Sequence, residues 1–202
     1  RRIEAGQGVP LDDYELLEGL LVAYFARPDD SPPGFDPQPA YLRAIEEMTR
    51  AFARPSVEVT VLEIARALGA RHGWIPARAA LRTGRVLVPE SAQLACDYAV
   101  ASWRCLETHA LPVGEVAHEI LALAPKVATA GLRPIAAQYL AVVEVAALVA
   151  AHPEGDWRDA VAACRERVSD AYLTQKLDDL LRVSLPLDPA AFDLFESRAT
   201  VA

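Results

Sequence analysis

Apolar residues along this chain recur at intervals of three and four, and strict alternation is almost absent. That period belongs to amphipathic helices rather than strands. It predicts a first helix over 11–27, with Tyr14, Leu17, Leu21, Tyr24 and Phe25 on one face and Asp12 with Glu15 as a capping box. Pro28, Pro32, Pro33, Pro37 and Pro39 then surround Phe35. Proline lacks a backbone donor and favours extended chain, so 28–39 is expected to be a loop or arm. A second helix over 39–54 would bury Leu42, Ile45, Met48 and Phe52.

Thr60 and Glu63 repeat the capping-box spacing and predict a helix opening there and stopping near Gly69. A short helix is expected from Pro76 to Gly84. Only 85–89 carries a pattern compatible with a strand, too isolated to build a sheet. Further helices are expected over 90–109, 113–124, 134–152 and 157–185. A last short one has Asp188 as cap and Pro189 at its first position. The fold class that follows is all-α: an irregular bundle of about seven to nine helices around a central apolar helix at 134–152. It is expected to form one domain over 1–202, with Ile135, Leu140, Val143 and Leu148 in the core.

The 134–152 segment is interrupted only by Gln138 and Glu144 before His152. At about 28 Å it could cross a bilayer. Its alanine content, its mid-helix charge and its lack of aromatic or basic flanks favour a buried bundle helix instead, so no membrane partner is expected.

Composition is that of a globular protein, with 52% hydrophobic and 24% charged residues. Eighteen of the 20 basic residues are arginine, which together with the abundant alanine, valine and proline resembles a GC-rich, bacterial-like composition. Three unpatterned cysteines favour a reducing compartment, and the polar first ten residues lack a signal-peptide core, so a cytoplasmic protein is expected. Because Arg1 opens the sequence, the chain reads as a trimmed or excised piece.

The net charge is −8, unevenly placed. Residues 1–39 hold three basic and eight acidic side chains, and 134–202 is also net −5. By contrast, 61–89 carries Arg66, Arg71, Arg78, Arg82 and Arg85 against Glu63, net +4. The expectation is that these arginines pair with the chain's own acidic surfaces or remain solvated. The alternative is an anion or partner patch.

Three constellations carry candidate chemistry. Val61 to Ala80 resembles a helix-turn-helix over its first half, through Ile64, Ala65, Leu68 and Gly69; Gly73 and Pro76 interrupt the second half. Arg104 and His109 match the Arg-x4-His pattern of HEPN-type ribonucleases, which are helical bundles. That resemblance implies a proton-moving His109 and a phosphorane-stabilising Arg104. Cys105 and His109 share one helical face, Glu115 and His118 another, and a short turn could oppose them as a zinc set. Gly-rich phosphate loops, nucleophile elbows and His-Glu-x2-His are absent from the sequence.

The leading functional reading is a non-catalytic interaction or regulatory module without a cofactor. Its partner is expected to be a protein, with Phe35 as the apolar anchor of the 28–39 arm. The alternatives are a nucleic-acid-binding regulator using 61–89, and an enzyme or sensor with an interhelical pocket, metal-dependent or HEPN-like.

Overall fold

The computed structural model describes residues 54–195, without the side chains of 54–56, 67, 71 and 72. The helices expected over 11–27 and 39–54, the 28–39 arm and its Phe35 lie outside the described residues. Every regular element among the described residues is helical, so the fold is all-α. The chain divides into two compact units, Arg1–Leu94 and Ala95–Ala202.

In the first unit, α1 (Arg54–His72) and α2 (Trp74–Leu87) pack together as a hairpin. Gly73 forms the turn with φ +89°, a conformation that costs glycine little. The buried face of α1 is Val57, Val61, Ile64 and Leu68; that of α2 is Ala77, Ala80, Leu81 and Gly84. Both sets follow the three-and-four spacing of one helical stripe. The small residues of α2 let the two backbones approach. A Cβ on Gly84 would lie 2.5 Å from Val61 Cγ1, and one on Gly69 would lie 2.8 Å from the Trp74 ring.

Three boundaries differ from the sequence reading. Thr60 does not cap a helix: it is buried inside α1, which begins at Arg54 with Pro55 in the first turn, where a missing N–H costs nothing. Gly69 does not stop α1, because the Trp74 ring fills the space that its absent side chain leaves. The candidate strand 85–89 is helical through Leu87, since α2 starts at Trp74, with Pro76 in its first turn, and runs on past Gly84.

The next helix, α3 (Ala92–Glu107), follows Ser91, whose hydroxyl accepts from Leu94 N–H at 3.0 Å. In the second unit come α4 (Val113–Leu123), two 3-10 turns (Ala124–Lys126 and Thr129–Gly131), and α5 (Pro134–Ala151). Then follow α6 (Arg158–Arg167), α7 (Ala171–Leu180) and α8 (Pro189–Phe192). The expected helix over 157–185 is therefore two. Asp170 breaks it by accepting from Leu173 N–H at 3.0 Å, which starts α7 afresh. Asp188 and Pro189 cap α8 as expected.

Helix α5 packs against α4, α6 and α7. It buries Leu140, Val142, Val143, Val145, Ala146, Ala147 and Val149. Leu148 is half-buried and Ile135 is 41% exposed, because Ile135 sits in the first turn, beyond the packed part of the helix. By length and composition α5 is the one helix among the described residues that could cross a membrane.

Candidate functional site

The basic segment splits over two helices. Arg66 is exposed on α1, on the side opposite the Val57–Val61–Ile64–Leu68 stripe. The Arg71 side chain lies outside the described residues. On α2, Arg78, Arg82 and Arg85 share one edge by their spacing of four and three. Arg82 is exposed, and Arg78 and Arg85 are half-exposed and engaged in contacts. Beside that edge runs an outward stripe of Ile75, Ala79 and Val86, with Ile75 50% and Val86 76% exposed. The helix-turn-helix resemblance placed Gly69 in a turn; it is helical, and the turn is at Gly73.

The Arg-x4-His pair is separated in role. His109 is exposed beyond the end of α3, with φ +53°. Arg104 is committed to the C-terminal segment. Its Nη1 donates to Glu107 Oε2 and to Phe195 O, each at 3.1 Å, and its guanidinium lies 5.2 Å from the Phe195 ring centre. The four zinc candidates are dispersed as well. Cys105 is fully buried, while His109, Glu115 and His118 are exposed. His118 Nδ1 is 2.6 Å from Gly114 O, and its ring meets His152 edge-on at 5.2 Å. Among the described residues no three His, Cys, Asp or Glu side chains gather as a metal ion would need.

Nothing in the local sequence pattern announces the cluster around Glu107. Its side chain is only 6% exposed. Oε1 accepts from Trp103 Nε1 at 2.9 Å and from Leu194 N–H at 2.7 Å. Burial raises its pKa above the ordinary carboxylate value, partly offset by Arg104 and these donors. Around it, Tyr172 Oη donates to Leu194 O, Tyr139 stacks on Phe195 at 5.3 Å, and Trp103 meets Phe192 edge-on. Lys176, buried, points Nζ at Phe192 O at 3.4 Å. Side chains from α3, α5 and α7 thus hold the segment 192–195. With separations of 16 to 91 residues, no local spacing announces such contacts.

A second polar feature lies on α5. Pro134, Ala137, Ala141 and Glu144 fall on one helical face, and with Gln138, Leu140, Ala124, Thr129, Arg167 and Val168 they line a half-open groove of about 330 Å³. Gln138 fixes its far wall: Oε1 accepts from Ser169 N–H at 2.7 Å and Asp170 N–H at 2.9 Å, tying the α6–α7 turn to α5. That tie places Arg167, the last residue of α6, on the groove. Glu144 is half-buried, and desolvation pushes its pKa up while Arg167 pulls it down. Cys164 is buried and its thiol pKa is raised, first by burial. Cys96, which donates to Ala136 O, is pushed up to about 12 by burial and by Asp97. All three cysteines are free, and these two are protonated at neutral pH, so neither is a ready nucleophile. Glu144 was legible in the sequence as the single charge of its helix; Arg167 was not, being one arginine among 18.

Compared with known proteins, the chain matches no family model, no curated protein and no solved structure.

Proposed function

We propose that this protein is a non-catalytic interaction module, and that the outer face of α2 is its docking surface for an acidic amphipathic helix of a protein partner. The observation that carries this reading is the exposed apolar stripe of Ile75, Ala79 and Val86 bordered on one edge by Arg78, Arg82 and Arg85. A helix that lays its apolar face against another is read through anchors three, four and seven apart, and Ile75, Ala79 and Val86, four and seven apart, fit that register. No acidic residue occurs between Glu63 and Glu90, so the edge is basic in a chain of net charge −8. A partner with glutamates flanking a leucine stripe would complement both features. The apolar centre also favours a protein over duplex nucleic acid, since a phosphate backbone offers nothing for Ile75 and Val86 to pack against.

The test titrates the full chain with a synthetic helical peptide bearing leucines on one face and glutamates on its borders. Fluorescence anisotropy is the readout, and a scrambled peptide and a DNA duplex are the controls. Saturable binding that weakens with salt is expected. Val86→Asp and Arg82→Glu should each weaken it about tenfold. As exposed substitutions they should shift stability by only about 0.5 kcal/mol. Equal binding of the scrambled peptide, indifference to both substitutions, or tighter binding of the duplex would overturn the proposal.

A further inference from the structure

We infer that the groove between α5 and the end of α6 binds a small zwitterion: an α-amino acid, or a molecule of like chemistry, with a short apolar side chain. This rests on the second unit alone and is independent of the α2 surface.

The groove exists because α5 presents Ala137 and Ala141 where longer side chains would fill the space. Its volume of about 330 Å³ falls at the small end of ligand sites. Leu140 and Val168 add apolar wall, and Thr129 and Gln138 add polar wall. Two opposite charges line it; Arg167 acts on Glu144 through space and lowers its pKa, but the two form no direct ion pair. Ion pairs in this region join Arg104 to Glu107 and Asp193, and Arg165 to Asp178. Neither Glu144 nor Arg167 belongs to any of these. Among the described residues the Glu144 carboxylate accepts from no protein donor; half-buried, its oxygens keep solvent access. A carboxylate partly withdrawn from water and without a protein donor is less well solvated, and a bound ammonium would offset that. Arg167 is exposed at the same groove and uses Nε–H on Ala163 O at 3.4 Å, and a guanidinium has further donors for a carboxylate.

The two charges select the ligand class together. A simple amine would satisfy Glu144 but be repelled by Arg167, and a simple acid would meet the reverse problem. A zwitterion satisfies both, with its ammonium toward the half-buried Glu144, its carboxylate toward the exposed Arg167, and its apolar body against Leu140 and Val168.

The test is a calorimetric titration of the full chain with alanine, valine and leucine, and with the amine and the carboxylic acid that correspond to leucine. At least one amino acid should bind saturably with a Kd of about 1 mM or tighter. The matched amine and acid should bind at least about tenfold more weakly. Glu144→Gln and Arg167→Ala should each weaken binding about tenfold. Ala141→Leu, which fills the groove without touching a charge, should abolish it. Arg165→Ala, whose side chain pairs with Asp178 and not the groove, should leave binding unchanged. Arg167→Ala alters an exposed side chain and keeps the comparison open if a more buried variant fails to fold. The inference is overturned if no amino acid binds saturably, if the amine or the acid binds as well as the zwitterion, or if binding survives Arg167→Ala unchanged.

Discussion

Glu144 is the sole charged side chain of an 18-residue helix, and its environment gives it a testable signature in the unliganded protein. Burial raises its pKa above the ordinary 4.5, and Arg167 only partly restores it. Between 4.5 and the raised folded value, the folded state binds more protons than the unfolded state. Stability therefore falls as pH rises through that window, and the loss persists at neutral pH. Glu144→Gln removes the titration while keeping the shape. The variant should gain about 1–2 °C in melting temperature over wild type at neutral pH, a small figure because solvent screens a half-exposed group. Below the ordinary carboxylate pKa the advantage should vanish. Thermal melts followed by circular dichroism at both pH values check this, and an equal gain at both would contradict the desolvation argument. At this scale the sequence was informative about oddity rather than role. One charge inside an apolar run could be seen, but Arg167, which acts on it through space, lies on another helix, next to the turn that Gln138 ties to α5. The Cys105, His109, Glu115 and His118 set shows the converse. Spacing of three or four gives a shared face only within one helix: Cys105 is buried in α3, whereas His109 lies beyond its end at φ +53°.

Among the elements, the α1–α2 hairpin shows how much pattern alone conveys. The stripes of Val57, Val61, Ile64 and Leu68, and of Ala77, Leu81 and Gly84, are the three-and-four period made visible. Two of the misplaced boundaries come from punctuation residues whose meaning depends on a neighbour. Gly69 reads as a stop, yet it makes room for Trp74. Thr60 with Glu63 reads as a capping box, yet Thr60 is buried mid-helix. The cap at Asp188 was legible because Asp followed by Pro needs no tertiary partner. The hairpin also makes a prediction about glycine. In a helix, Gly→Ala ordinarily gains about 1 kcal/mol. At Gly84 the new Cβ would lie 2.5 Å from Val61 Cγ1, 3.2 Å from its stiff Cβ and 3.3 Å from Leu94 Cδ2. Overpacking costs about 1–3 kcal/mol, so Gly84→Ala should lower stability in urea titrations. Gly69→Ala should be milder, because the half-exposed Trp74 ring can move. Adding Val61→Ala to Gly84→Ala should recover part of the loss through a favourable coupling term. Strictly additive losses would show that the two residues do not oppose each other.

On the scale of the whole molecule, the sequence separates an acidic N-terminal stretch, a basic segment and an acidic C-terminal third. The structure adds a division into two units, each with its own polar feature. In the second unit the chain closes on itself through contacts that the sequence could not display. Glu107 reaches Leu194 across 87 residues, and Arg104 reaches Phe195 across 91. Leu194 is fully buried and Phe192 is 6% exposed, so the segment 192–195 supplies core rather than decoration. Burying two such side chains contributes about 3–6 kcal/mol. Removing them would also strip the Leu194 N–H from the buried Glu107 carboxylate and leave Trp103 without its edge-on ring. An abandoned buried acceptor adds about 1–3 kcal/mol of further cost. The sum is comparable with the whole stability of an ordinary domain. A chain ending at Leu187 should therefore lose the cooperative unfolding transition of its second unit, seen as collapsed amide dispersion in a heteronuclear NMR spectrum. Leu194→Ala, which keeps the backbone N–H for Glu107, should remain folded but lose about 2–5 kcal/mol. A truncated chain with dispersed amides and an unchanged urea midpoint would mean that the second unit folds without this clamp.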